Sequence, residues 1–258
     1  MKRNKKIEIL YTLLSISSIL LFVLGWMYMS SMRPELFPGP QETWERLIRF
    51  IERPIARIPL QIHILDSLKR VGIGVLAASI IGIIFGLGLG WSRLFRSSFG
   101  TIFELVRPIP PIAWVPLMTI WFGIGEFPKI LLVYIGVFAI VAINTATGVK
   151  MVDPLSLAVG KIYHASVFQI FTEIVLPASL PTIFTGIRTA IGVGWAIVIA
   201  AEMLGATSGT GFLIIRGMEI GDTAIIFMSM FIIGIIGALL SGGASYIERR
   251  LCKWRTGR

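Results

Sequence analysis

Two ionisable residues, Arg188 and Glu202, lie in the otherwise apolar stretch 185–205. If that stretch is one helix, their 14-residue separation corresponds to about 1400° of rotation and about 21 Å of rise, which returns both to within roughly 40° of one face. Each would cost on the order of 2.5–3.5 kcal/mol if turned to lipid at mid-membrane. They must therefore face a pore, a partner helix or the membrane interface. The chemistry available to them is charge pairing and not bond breaking. No G-x-x-x-x-G-K-[ST] occurs, so no phosphate-cradling loop is expected. His63 and His164 are too few and too far apart in sequence for a metal site, and no nucleophile stands at motif spacing from a base. The chain is expected to hold no catalytic residue, no metal and no cofactor.

The elements that position these residues are membrane spans. The 258 residues are 55% hydrophobic, with a mean hydropathy of +0.83. Five charge-free runs stand out: 9–32, 71–92, 108–125, 130–149 and 223–247, of 24, 22, 18, 20 and 25 residues. A span needs about 20, and the helix around Arg188 and Glu202 makes six. The net charge of +10 would suggest nucleic acid in a soluble protein. Here four basic residues sit in the N-terminal tail (Lys2, Arg3, Lys5, Lys6) and five in the C-terminal tail (Arg249, Arg250, Lys253, Arg255, Arg258). Basic flanks orient spans and meet anionic lipid, so a lipid membrane is the expected partner and nucleic acid is not. Six spans put both tails on one side, which these charges make cytoplasmic. The stretch 33–70, with seven Lys or Arg beside five acids, fits that rule less cleanly, as long folded segments do. The first run is read as an uncleaved span, because it exceeds a signal peptide's apolar core of about 7–15 residues. Cys252 is the sole cysteine and can form no intrachain disulfide.

Local patterns assign further roles. Gly74, Ala78, Gly82, Gly86 and Gly90 put a small residue at every fourth position of the second span. Gly186, Ala190 and Gly194 repeat the device in the fifth span, and Gly234, Ala238 and Gly242 in the sixth. Lipid gives helices no hydrophobic reason to associate, so such grooves predict close backbone packing in a bundle core. Trp44, Leu47, Ile48 and Ile51 predict an amphipathic helix on the membrane surface. Pro108, Pro110, Pro111 and Pro116 break the third span, which membranes tolerate only against protein or a watery cavity. The polar interruption 151–184 is too long for a hairpin and predicts short helices of its own. Ile162, Ala165, Phe168, Ile170 and Phe171 recur there at roughly helical spacing, a stripe that could dock into a groove. Pro177 and Pro181 are expected to stop that helix. A flexible external turn is expected at 207–211.

The second half of this interruption resembles the permease subunits of bacterial ABC importers, in particular their nitrate, sulfonate and taurine branch. The similarity runs through Leu176-Pro177-Ala178-Ser179-Leu180-Pro181, Ile183 to Arg188, Gly192-Val193-Gly194-Trp195 and Ala200-Ala201-Glu202-Met203. Ser67-Leu68-Lys69-Arg70, the proline run with Trp121 to Gly125, and Asn144-Thr145 with Gly148-Val149 extend it. Counting back from Pro177, the family's Glu-Ala-Ala glutamate falls on Ala158 and its glycine on His164, so two hallmark residues are replaced.

The resemblance implies an all-α membrane protein of about six transmembrane helices with a cytoplasmic coupling loop, the type I ABC importer permease fold. It divides the chain into 1–66 (tail, first span and external amphipathic segment), 67–248 (core permease domain, coupling loop 153–181) and 249–258 (basic tail). It implies an inner-membrane homodimer, two cytoplasmic ATP-binding subunits that carry the ATP and Mg, and an extracytoplasmic solute-binding protein. The expected cargo is a small anion such as taurine, another sulfonate or nitrate. A thiamine-precursor pyrimidine or another small organic solute is the rival within the class. A secondary transporter driven by an ion gradient is the rival outside it, and the charge-free spans speak against its proton relay. ATPase-coupling residues are expected among Ala158, Gly160, His164, Ser166, Phe168, Gln169, Phe171 and Pro177. The translocation pathway is expected among Arg107, Pro108, Trp114, Asn144, Arg188, Trp195 and Glu202. Leu240-Ser241-Gly242-Gly243-Ala244 mimics the ATPase signature sequence but lies inside an apolar span, where it is read as coincidence.

Overall fold

The computed structural model describes residues 5–251. Lys2, Arg3, Cys252 and the basic residues after it lie outside that range. Among the described residues the fold is all helix: α1 (Lys5–Met32), α2 (Pro40–Glu52), α3 (Leu60–Trp91), α4 (Arg93–Val106), α5 (Val115–Phe122), α6 (Glu126–Lys150), α7 (Pro154–Ile162), α8 (Val167–Gln169), α9 (Leu176–Met203), α10 (Thr210–Glu219) and α11 (Thr223–Leu251). Five of these segments are long and apolar enough to cross a membrane, and the count reaches six when α4 and 111–122 are taken as one broken span.

The third span is broken, as its prolines predict, but it begins well before the 108–125 run. Its apolar content is divided between α4 and α5, which meet at an 88° bend, with a 3-10 turn Pro111–Trp114 between them. Proline supplies the reason, since each one removes a helical donor and disfavours a helical residue before it.

The chain forms two compact units. One contains 1–60 and 213–232. In it the Trp26 ring stacks on Phe231 at 5.0 Å and on Phe227 at 6.2 Å, and the indole N–H donates to Pro38 O at 2.9 Å. On α2 the inward positions are Thr43 and Phe50, and Arg46 is held by Asp222 at 2.8 Å. Trp44, Ile48 and Ile51 stay exposed, the apolar face that an interfacial helix offers to lipid.

The other unit contains 61–212 and 233–258, and α6 runs through its centre with Val133, Val137, Val141 and Ala142 fully buried. The small residues of α3 lie directly against it: Gly74 on Val133, Gly82 on Val141, Gly86 on Ala142 and Thr145, and Gly90 on Val149. From another side α9 brings Gly186 onto Asn144 and Gly194 onto Val133 and Val137. Both expected grooves therefore do what lipid cannot, letting backbones approach until dispersion contacts suffice. The groove on α11 differs. Gly234 and Gly242 have no atom within reach of a Cβ, so within this chain that stripe packs on nothing among the described residues.

The helix after the polar interruption also begins earlier than expected. Helix continues from Val167 to Met203, with a π-turn at Ile170–Val175 and with Pro177 and Pro181 both inside α9. The prolines do not stop it. In the widened turn the Leu176 N–H reaches back to Phe171 O, and Pro177 then enters at the first turn of α9, where its missing donor costs little.

The groove on α3 yields a direct test. A Cβ at Gly86 would lie 2.5 Å from Ala142 O and 2.6 Å from Thr145 Cβ, whereas one at Gly72 would meet nothing within 4 Å. Gly86→Ala should destabilise the detergent-solubilised protein by about 1–3 kcal/mol and lower its melting temperature. Gly72→Ala should leave it unchanged or slightly raised.

Candidate functional site

Helix α6 leads straight into a short elbow. Asp153 caps α7 by accepting from the Leu155 N–H at 2.9 Å, and Pro154 takes the position where no donor is needed. Seven residues on, α7 stops in a two-bond cap: the Ala165 N–H donates to Gly160 O and the His164 N–H to Lys161 O, both at 3.0 Å. Such a cap requires a left-handed residue between helix and exit, usually glycine. His164 occupies it at φ 54°, the position onto which the family's glycine falls. Helix α8 follows at once, with Ser166 Oγ accepting from the Gln169 N–H and Gln169 Oε1 accepting from the Ser166 N–H, a reciprocal capping box.

This geometry sorts the expected coupling residues. Gly160, His164, Ser166 and Gln169 build the turn. Gly160 is buried, and a Cβ there would press on Ile174 Cδ1 at 2.9 Å. Ala158 is exposed. Pro177 lies within α9 and not in the loop. Phe168 and Phe171, expected on one docking stripe, have different surroundings. Phe168 is 74% exposed, whereas Phe171 packs on the Val149, Val152, Ile170 and Val175 core and on the Trp91 ring at 5.6 Å. Leu155, Ile162 and Tyr163 of the same elbow are also exposed, at 69, 72 and 81%. Leu155 and Tyr163 escaped the sequence reading. Their signal was present in the Asp153-Pro154 helix start and in the spacing of Leu155, Val159 and Ile162.

At the other end of α9 lies a buried charge cluster. Glu202, only 1% exposed, accepts from Arg70 Nη1 at 2.7 Å, from Ser67 Oγ at 2.9 Å and from the Gly211 N–H at 2.9 Å. Arg70, 2% exposed, spreads its remaining donors over both Glu126 oxygens at 2.6 and 2.8 Å and over Ser208 O and Oγ. All five guanidinium donors are used. Ser208 Oγ donates to Asp66, the Gly209 N–H to His63 Nδ1 and the Thr210 N–H to Ser67 Oγ. The 207–211 turn, expected to be flexible, is thus fastened from three sides. Of this cluster the sequence singled out Glu202 as a site residue. The signal missed was His63, Asp66, Ser67 and Arg70 at i, i+3, i+4 and i+7, one polar face at the head of an apolar helix.

The remaining expected pathway residues do not converge. Arg188, near the middle of α9, donates to Glu248 at 2.9 Å and does not approach the Glu202 cluster. Trp195 is buried, with its N–H on Ile233 O at 3.1 Å. Asn144 donates back to Ile140 O. Arg107, paired with Glu104 at 2.6 Å, shares a recess with Trp114 and Tyr134, and Pro108 is exposed beside it. A separate cavity of about 210 Å³ lies between the broken third span and α9, lined by Pro111, Ile112, Val115, Leu132, Val193 and Ile197 among others. Its walls offer no charge, so it can pass or shelter a solute but cannot select an ion electrostatically. Among the described residues no cluster of His, Cys, Asp and Glu could hold a metal ion.

Up to six apolar crossings, one of them broken, with α3 and α9 packed on α6 and a capped elbow between α6 and α9, define a multi-span permease fold of the type I ABC importer kind. The chain superposes on a chain of the inward-facing MetNI methionine ABC transporter with a TM-score of 0.65 at 17% identity, covering 80% of this chain and 98% of that one. On an amino acid ABC transporter with histidines the TM-score is 0.58 at 16% identity, covering 73 and 92%. The family model of the binding-protein-dependent transport system inner membrane component matches residues 78–253, and the chain belongs to that family. It is 36% identical over 245 residues to the taurine transport system permease protein TauC of Escherichia coli (strain K12), covering 93% of this chain and 89% of the relative. It is 32% identical over 193 residues to the putative aliphatic sulfonates transport permease protein SsuC of Bacillus subtilis (strain 168), covering 75 and 70%. It is also 32% identical over 212 residues to the nitrate import permease protein NrtB of Leptolyngbya laminosa, covering 82 and 76%.

Two substitutions test the elbow and two test the cluster. His164→Gly should stabilise by up to about 1 kcal/mol by removing left-handed strain, while Ser166→Ala should cost about 1 kcal/mol by removing a cap. Opposite shifts of melting temperature are expected. Arg70→Met strands the buried Glu202 carboxylate and should cost about 3–5 kcal/mol. Glu126→Gln, on a side chain 59% exposed, should cost no more than about 1 kcal/mol.

Proposed function

We propose that this chain is the membrane-spanning permease subunit of an ATP-driven importer for a small anion of the taurine, sulfonate or nitrate class. The named functions of the three relatives support the cargo class. In this reading two copies of the chain enclose one pathway and an extracytoplasmic binding protein delivers the solute. Two cytoplasmic ATP-binding subunits, which carry the ATP and Mg, drive the cycle. Both termini and the α7–α8 elbow then face the cytoplasm.

The observation that carries the reading is the elbow. Leu155, Ile162, Tyr163 and Phe168 are exposed apolar side chains on short helices whose ends are all hydrogen-bonded, the form taken by an element that docks into a partner's groove. Because α6 leads into the elbow and α9 leads out of it, a push there acts on both helices of the core. ATP must favour one arrangement of those helices over another, since equal binding to both moves nothing. The cavity beside Pro111, Val115 and Ile197 is the proposed stretch of the route. Selectivity is assigned to the binding protein, because the cavity carries no charge.

Tagged protein is expected to co-purify with a nucleotide-binding subunit and to support ATP-dependent uptake in proteoliposomes. Phe168→Asp should weaken docking by about tenfold or more, as loss of a central aromatic anchor does, and lower uptake per ATP hydrolysed. Phe171→Asp should instead lower the melting temperature, because that ring is part of the elbow's core. Unchanged coupling in Phe168→Asp would place the docking face elsewhere, and uptake that survives ATP depletion would refute the reading itself.

A further inference from the structure

A recess of about 470 Å³ lies where α3 ends, α4 begins and α6 ends. Its lining is of two kinds. Leu89, Phe103, Ile143 and Ala146 are apolar, and Arg96 and Lys150 are cationic. Arg96 is held in place: its Nε donates to Leu89 O and its Nη2 to Gly90 O, both at 2.7 Å. It thereby covers carbonyls at the end of α3 that would repel an anion, and its Nη1 donates to no group among the described residues. Lys150 likewise has no ion-pair or hydrogen-bond partner among the described residues. The one acid lining the recess is Glu104, which Arg107 neutralises at 2.6 Å. The recess therefore holds two uncompensated positive charges beside an apolar wall.

We propose that this recess is a binding site for one anionic phospholipid per chain, its phosphate held by Arg96 and Lys150 and its acyl chains against the apolar wall of Leu89, Phe103, Ile143 and Ala146. The recess itself argues for a lipid over a free phosphate ester. Leu89, Phe103, Ile143 and Ala146 give it an apolar wall beside its two cations, which suits an acyl chain below a headgroup and not a soluble anion. Basic pockets between transmembrane helices on the cytoplasmic side are where anionic headgroups settle. The site rests on the proposed reading for its side of the membrane, while retention of a lipid by the extracted chain does not require transport.

The test is native mass spectrometry of the full chain extracted from vesicles of equal parts phosphatidylcholine and phosphatidylglycerol. One phosphatidylglycerol should be retained in preference to phosphatidylcholine. Lys150→Gln, on an exposed side chain without structural contacts, should weaken retention about fivefold, the value of one charge near a membrane surface. Arg96→Gln should act in the same direction, and Lys161→Gln on α7 should change nothing. Retention that ignores headgroup charge, or that is equal in Lys150→Gln and the unaltered chain, overturns the proposal. Displacement by glycerophosphoglycerol as readily as by the intact lipid overturns it too, because the occupant would then be a soluble phosphate ester.

Discussion

A hydrocarbon solvent offers helices no reward for hiding apolar surface, so this bundle stands on backbones that can come close. Small residues on α3 and α9 meet α6 along its length, and at Gly86 the neighbouring carbonyl lies within 2.5 Å of where a Cβ would be. Everything else is arranged around that contact. Large apolar side chains are left to face outward, and the few polar ones are gathered at the helix ends.

Those ends are treated in opposite ways. At one, Arg70 holds α3, the start of α6, the end of α9 and the turn before α10 through a fully used guanidinium, and the charges are enclosed. At the other, α6 and α9 are joined by an elbow with a small apolar core of its own and with Leu155, Ile162, Tyr163 and Phe168 exposed. The closed end stabilises one arrangement of the helices. In the proposed function the open end is where another protein takes hold.

Much of this was legible because it is periodic. Charge-free runs gave the spans, the fourfold spacing of Gly74 to Gly90 gave the contact with α6, and the proline run gave the broken third span. Failures came where one local rule met a competing one. Pro177 and Pro181 read as helix stops, yet both lie within α9, Pro177 at its first turn just after a π-turn. Ile162, Ala165, Phe168 and Phe171 read as one stripe, yet the turn at His164 separates Ile162 from the rest and Phe171 packs into the elbow's core, so the stripe does not survive. The Gly-rich stretch 207–211 read as loose because its restraints come from Asp66, Ser67 and Arg70, far away in sequence. Long-range polar pairing leaves no period. Only the i, i+3, i+4, i+7 placement of His63, Asp66, Ser67 and Arg70 hinted at it.

The central claim is that an ATP-binding partner grips the elbow from outside. Cysteine cross-linking asks this most directly, with Cys252 replaced and single cysteines introduced by Ile162→Cys in the elbow and Ser97→Cys on α4, in membranes that contain the co-expressed ATP-binding subunit. The account predicts a cross-link from position 162 to that subunit, changed in yield by ATP, and none from position 97. Absence of any cross-link from position 162, or labelling of that position by a membrane-impermeant thiol reagent added outside intact cells, would contradict it.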